Sequence, residues 1–159
     1  FAYHVYGCAA VEVSLDCLRG RYRIERVSIV HDVGQSLDER VDRGQIEGAV
    51  VQGLGWMTLE QVLFDDQGRL MTAQLSQYKV PDLYFAPEIE VEFLQTANPS
   101  GLLQSKAVGE PPLMYGIAAY FALLKAMLAF NPDGPVDYRA PLTPERVLLA
   151  LYDDHVVAP

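Results

Sequence analysis

Residues 109–112 read Gly-Glu-Pro-Pro, and they constrain the fold more than any other stretch. Gly109 lets the backbone approach a ligand closely, or take φ > 0. Pro111 and Pro112 fix φ and offer no N–H, which suits the first turn of a helix. The apolar run from Leu113 to Phe130 has the length and composition of that helix. Glu110 is therefore expected at or just before a helix N-terminus, on a loop whose geometry is locked on one side. Two roles fit a carboxylate so placed: an acidic cap that complements the helix dipole, or a group held at a defined point for chemistry.

The remainder of the chain supplies strands and two more helices. Val11, Val13 and Leu15 alternate with Glu12, Ser14 and Asp16, the period of a half-buried strand. Residues 8–18 and 21–33 then form a hairpin turning at Arg19-Gly20, and the change of apolar phase between Ile24 and Val27 marks a bulge or twist. His31 and Asp32, adjacent at the end of that strand, point to opposite faces and are expected to be unrelated polar residues. Residues 45–63 form a central helix with Ile46, Ala49, Val50, Gly53, Leu54 and Met57 on one face. Gly48, Gly53 and Gly55 in that helix predict close packing against another backbone, because each costs about 1 kcal/mol relative to Ala. Trp56, Met57 and Leu59 are expected in the core.

Phe64–Met71 reads as a second hairpin with its turn at residues 65–68, and Tyr78–Pro81 as extended chain. Ile89, Val91 and Phe93 predict a strand whose other face carries Glu88, Glu90 and Glu92, a solvated face and not a cation site. Thr143 as N-cap and Pro144 as first residue open the last helix, with Val147, Leu148 and Leu151 inward. Residues from Asp153 onward are expected to fray. Cys8 and Cys17, nine apart, fall on opposite faces, so a local disulfide is not expected; both read as small core residues in a reducing compartment.

These elements make one α+β domain over residues 1–159, long helices packed on antiparallel strands, with enough length for a sizeable core. A formal net charge of −9 argues against a nucleic-acid-binding surface. No uninterrupted apolar run is expected to cross a bilayer, and there is no signal-peptide pattern. Phe1 opens within an apolar stretch, so the chain is expected to be a piece of a longer subunit. No phosphate loop, no Gly-x-Gly-x-x-Gly and no Gly-x-Ser-x-Gly elbow occurs, and His4, His31 and His155 lack metal-ligand spacing.

Ser105-Lys106-Ala107-Val108-Gly109-Glu110-Pro111-Pro112-Leu113 resembles the catalytic loop of the molybdenum-binding subunit in the xanthine dehydrogenase family. Three further blocks match it in order and spacing: residues 31–37 (His-Asp-Val-Gly-Gln-Ser-Leu), 42–49 running into 51–56 (Asp-Arg-Gly-Gln-Ile-Glu-Gly-Ala, then Val-Gln-Gly-Leu-Gly-Trp), and 78–81 (Tyr-Lys-Val-Pro). The resemblance spans nearly the whole chain and identifies it with the C-terminal molybdopterin-binding part of a molybdenum hydroxylase.

What the resemblance implies is specific. Glu110 is the active-site base, and Gln45, with Gly44, Gly109 and Lys106, borders the molybdenum–molybdopterin cofactor. The reaction is oxidative hydroxylation of hypoxanthine and xanthine to urate, with oxygen from water. Iron–sulfur clusters of the 2Fe-2S type, FAD and NAD are carried on other parts of the enzyme. The partners implied are the rest of the molybdenum-binding subunit, an iron–sulfur/FAD subunit and a purine, in a cytoplasmic oligomer with neither nucleic acid nor membrane. A related aldehyde or N-heterocycle hydroxylase stays open, although the Glu-Pro-Pro form of the loop leans toward the xanthine type. The isolated chain, encoding one edge of the site, is expected to be inactive, or to act only as a packing domain.

Overall fold

A computed structural model describes residues 3–152. Two strands, β1 (Gly7–Asp16) and β2 (Arg21–Asp32), form the expected antiparallel hairpin. Gly20 closes its turn at φ +62°, where a side chain would also strike Leu148. The register runs Glu12 opposite Arg26 and then Val13 opposite Ile24, so Glu25 is the extra residue of a bulge. That bulge shifts the inward phase from Ile24 to Val27 and Ile29, all three buried.

The third strand, β3 (Glu88–Leu94), lies beside β2 in parallel, pairing Arg26 with Glu88 through Asp32 with Leu94. The α+β class stands, but this pairing corrects the expectation of antiparallel strands throughout. A parallel neighbour needs a crossover, and the chain makes it through α1 (Glu39–Thr58). Glu88, Glu90 and Glu92 lie exposed as expected. Arg26, within 3.0 Å of Glu12 and 4.0 Å of Glu90, sits among them.

Helix α1 begins six residues before Gln45 and ends five residues before Leu63, shorter at its C-terminus than the sequence suggested. Asp38 caps it, its carboxylate accepting from the N–H groups of Arg40 and Val41, and Glu39 and Asp42 complement the dipole in the first turn. Gly44 resembled a helix start, but the cap lies upstream of it. The predicted face is buried at Ile46, Ala49, Val50, Gly53 and Leu54. Of the glycines, Gly53 and Gly55 meet close neighbours, whereas a side chain at Gly48 would meet open space. Trp56 is 45% exposed, against the expectation of a core position, because it turns away from the buried face.

The apolar run after Pro111 and Pro112 is not one α-helix. Pro111–Gly116 is a 3-10 helix and α2 (Ile117–Phe130) continues it. The 20 residues Pro111–Phe130 have the length and hydropathy, 1.7, to cross a membrane, contrary to the expectation from sequence. In this fold Ala119, Tyr120, Leu123, Leu124 and Met127 are buried against neighbouring elements. Gly116 meets Gly53 so closely that a Cβ on either would fall 2.2 Å from backbone of the other segment. The last helix, α3 (Pro144–Tyr152), starts as predicted: Arg146 N–H donates to Thr143 Oγ1 at 3.4 Å.

The core has two parts. Ile24, Val27, Ile29, Ile46, Val50, Leu54 and Val91 fill the layer between sheet and α1. Tyr120, Leu123, Met127, Leu142, Val147 and Leu151 join α2 to α3. Each fully buried aliphatic side chain contributes about 1.5–3 kcal/mol. Tyr22 connects the α3 side to α1, its hydroxyl donating to the carbonyls of Leu142 and Thr58. Residues 64–71 form only a minimal hairpin, one bridge between Phe64 and Leu70 with Gly68 at φ +77°. Cys8 and Cys17 are both free. Cys8 is exposed, not a core residue, because it lies on the outer side of an edge strand. The frayed segment expected after Asp153 lies outside the described residues.

Candidate functional site

Glu110 sits where the sequence put it, immediately before a helix that opens with two prolines. Its side chain caps nothing and, among the described residues, makes no hydrogen bond or ion pair; the carboxylate is exposed. Only its backbone carbonyl is engaged, accepting from Leu113 N–H at 3.1 Å. The acidic-cap role is thus not expressed as a hydrogen bond.

The loop ahead of Glu110 is fastened to the end of β2. Lys106 N–H donates to the Val33 carbonyl at 3.0 Å, and Gln35 N–H to the Gln104 carbonyl at 2.9 Å. Asn98 Nδ2 donates to the Ser105 carbonyl at 2.6 Å, and Ala107 N–H to the Tyr3 hydroxyl at 3.0 Å. Leu103 and Gln104 adopt left-handed φ of 51° and 61°. Such backbone costs of order 1–3 kcal/mol per residue, offset here by the surrounding hydrogen bonds. Gly34 fits the same junction at φ +63°, where a Cβ would lie 2.6 Å from the Gln104 carbonyl.

Beneath the loop lies a buried ion pair. Lys106 Nζ donates to Asp32 Oδ2 at 2.6 Å and to Thr96 Oγ1 at 2.8 Å; the two charged side chains are 6% and 0% exposed. Asp32 Oδ1 accepts from Gly34 N–H at 3.0 Å and from Thr96 Oγ1 at 2.8 Å. A buried carboxylate needs such partners. Burial pushes the Asp32 pKa upward, but Lys106, Gly34 and Thr96 together bring it below its ordinary value. Behind it in sequence, His31 is also fully buried, Nδ1 2.6 Å from the Tyr115 hydroxyl. Burial lowers its pKa. As expected, the two residues serve separate partners and are not hydrogen-bonded to each other; what the sequence did not show is that each is engaged, with partners 84 and 74 residues away.

Gln45 and Gly109 come together. A Cβ on Gly109 would lie 3.4 Å from Gln45 Oε1, an ordinary contact, and Gly109 does not take the left-handed φ that the sequence left open. Gln45 is exposed, and its amide makes no hydrogen bond among the described residues. It stands in the second turn of α1, not at the helix start, so its side chain and not its backbone N–H is the group on offer. Gln45 thus lies against Gly109, next in sequence to the exposed Glu110, and this exposed rim carries an amide and a carboxylate that are uncommitted among the described residues. Gly44 is exposed beside them but lines a different, shallow cavity of about 530 Å³ with Glu47, Gly48 and Pro87. Lys106, expected on the rim, turns inward because Asp32 is the stronger partner available to it. The contribution of Asp32 was missed; a buried carboxylate carries no local signal when its cation is remote in sequence.

Such a rim can bind a polar group of either hydrogen-bonding sense through Gln45 and place a carboxylate beside it. Known proteins resemble the chain along most of its length. The family model of the molybdopterin cofactor-binding domain matches residues 1–87. Aldehyde oxidase 1 of Bos taurus is 40% identical over 159 residues, 96% of this chain and 12% of that protein. Xanthine dehydrogenase of Dictyostelium discoideum is 39% identical over 163 residues, 99% of this chain and 12% of that protein. Among solved structures, quinoline 2-oxidoreductase from Pseudomonas putida 86 superposes with a TM-score of 0.83 at 30% identity, covering 91% of this chain and 18% of that one. The chain thus spans about an eighth of the length of these curated relatives.

Proposed function

The chain belongs to the family of molybdopterin cofactor-binding domains, and on that premise we propose that it forms one edge of the active site of a molybdenum hydroxylase, with Glu110 as general base. The residues on the rim fit the cofactor. Gln45 presents an unengaged amide, two donors and an acceptor, and Gly109 leaves the space in front of it clear. When bound, the molybdenum cofactor accepts two electrons from the substrate as oxygen from water is added to carbon.

Gln45 orients the cofactor's polar edge, and Gly109 permits its approach. Glu110 takes a proton, on a carboxylate oxygen, from the water-derived nucleophile that attacks an electron-poor carbon. Pro111 and Pro112 and the fastened loop keep the carboxylate from wandering. A general base must be within hydrogen-bond reach of its proton, and a residue fixed before a rigid turn satisfies that more cheaply than one on a free loop.

The substrate we propose is a purine, hypoxanthine or xanthine, carried to urate; the Glu-Pro-Pro form of the loop supports it. The similarity to an aldehyde oxidase at 40% and to a quinoline oxidoreductase at 30% favours a second reading, an aldehyde or another N-heterocycle. Electrons would leave through iron–sulfur clusters and FAD to NAD on other parts of a cytoplasmic enzyme, the rest of the subunit and an iron–sulfur/FAD subunit being partners.

One observation carries the proposal: the Glu110 carboxylate is exposed, unpaired among the described residues, and mounted on a loop held at both ends. The experiment is Glu110→Gln in the complete enzyme, which keeps shape and removes basicity. Molybdenum reduction is followed in a single turnover with xanthine, then with an aldehyde. Molybdenum content should hold while the rate falls ~10²–10⁴-fold. A loss under ~10-fold with both substrates, below the range of a general base, would remove Glu110 from that role.

A further inference from the structure

We propose that His31 and Asp32 are positioning residues that hold Glu110 from both flanks, His31 through Tyr115 and Asp32 through Lys106. The inference rests on Glu110 being the base. Neighbouring residues of a strand project to opposite faces, and β2 uses this at its last two positions. Asp32 reaches Lys106, four residues before Glu110, at 2.6 Å. His31 reaches the Tyr115 hydroxyl, five residues after Glu110, also at 2.6 Å. Both strand residues are fully buried.

The Tyr115 end is built with little slack. The His31 and Tyr115 rings meet edge to face at 5.6 Å. A Cβ on Gly7 would fall 1.8 Å from the Tyr115 hydroxyl, so that hydroxyl occupies the space a side chain on β1 would need. His31 Nε2 is buried and makes no hydrogen bond of good geometry among the described residues, yet it feels the backbone of Ala107, in the same loop, which favours the protonated ring. An apolar residue would fill the site without the cost of a poorly satisfied nitrogen. What histidine adds is polar contact with the segment around Glu110, through Nδ1 to Tyr115 above all. Eight residues lie between Lys106 and Tyr115, and both ends of that span rest on one strand end. The carboxylate between them takes its position from the sheet and not from hydrogen bonds or ion pairs of its own, of which it has none among the described residues.

A purely structural pair would lower stability and affect every activity equally; a positioning pair acts only while there is a base to position. The test combines Tyr115→Phe and Lys106→Met, each alone and together with Glu110→Gln, in the complete enzyme loaded with molybdenum. With Glu110 present, each should slow single-turnover reduction by xanthine ~10–10²-fold, the scale of an ångström misplacement. Added to Glu110→Gln, each should slow it less than ~2-fold, because coupled residues are not additive. Amide exchange at Lys106 and Ala107, whose N–H groups donate to the Val33 carbonyl and the Tyr3 hydroxyl, should accelerate ~10-fold in both variants while the β1–β2 hairpin stays protected. Equal losses with and without Glu110→Gln, or unaltered exchange, would overturn the proposal. Should Lys106→Met fail to load molybdenum, Tyr115→Phe, which removes a single oxygen, decides by the same criteria. A full rate in Glu110→Gln alone would overturn the assignment of the base itself, and is separable because it appears with Tyr115 and Lys106 intact.

Discussion

Substituting alanine at two glycines of α1 should move stability in opposite directions. In a helix interior, Gly→Ala is favourable by about 1 kcal/mol, since alanine loses less backbone freedom on folding. Gly48 realises this gain in full: a Cβ there meets nothing within 4 Å. At Gly53 the same methyl would lie 2.2 Å from the Leu113 carbonyl oxygen and 3.2 Å from Gly116 Cα. The first separation must widen by about 1 Å before it is an ordinary contact, and both sides are backbone, so no rotamer change can relieve it. Overpacking of this kind costs typically ~1–3 kcal/mol, toward the upper end where main chain must move. Gly53→Ala should therefore be destabilised by a net of about 1–2 kcal/mol, and Gly48→Ala stabilised by about 1 kcal/mol. In a domain of this size each kcal/mol is worth roughly 2–4 °C in Tm, so the two variants should melt on opposite sides of the parent. Thermal and urea unfolding of the 159-residue chain measures both. Gly53→Ala melting at or above the parent would refute the contact with Leu113, and a loss of stability in Gly48→Ala would refute the open space beside α1.

Two further outcomes are expected. In the complete enzyme, Gln45→Ala should lower molybdenum retention while leaving the pH profile of turnover unchanged, because an amide orients and does not titrate; unchanged metal content with an intact rate would exclude Gln45 from the rim's function. Acidification should weaken the fold in two steps. The His31 pKa is held below its ordinary 6.5 in the folded chain, so the unfolded chain binds the extra proton and stability falls as pH drops below about 6.5. The Asp32 pKa is held below 3.8, so its contribution is present above that value and lost beneath it. Urea midpoints measured from pH 8 to pH 3, for the parent and His31→Gln, check this: the upper step should vanish in the variant, and a flat parent between pH 7 and pH 5 would contradict it.

What the sequence disclosed was local. The hairpin and its bulge follow from alternation and a slip of phase within twelve residues, all on adjacent strands. The start of α3 follows from Thr143 and Pro144 side by side. The helix-start signal at Gly44 lies six residues past the true cap, Asp38, whose role shows only when Arg40 and Val41 turn their N–H groups to it. Residue type places Cys8 and Trp56 in the core, but which face of an edge strand or helix is covered depends on elements distant in sequence. The parallel pairing of β3 could not be read from its alternation, which is the same for either direction. The glycine and prolines mark Glu110 as a held carboxylate, and its proposed role as a base comes only from the motif it shares with a family. The groups that hold it were illegible, since neither Asp32 nor His31 announces a partner in its own neighbourhood.

The sequence separations at the end of β2 bear on the order in which the protein assembles. The β1–β2 hairpin closes through a four-residue turn, whereas Asp32 meets Lys106 and His31 meets Tyr115 only after 74 and 84 residues of chain are gathered. Loop-closure entropy rises slowly with length, about (3/2)RT ln n, but contacts of this span delay folding because local structure must form first. β3 and α1 must be in place before the Glu110 loop has a surface to dock on. Refolding should therefore recover helix and strand signals ahead of protection at Lys106 and Ala107. A molecule arrested at that stage would look native by circular dichroism and have no assembled site. Cofactor loading, where it requires the rim, would then report the final step of folding and not merely its outcome.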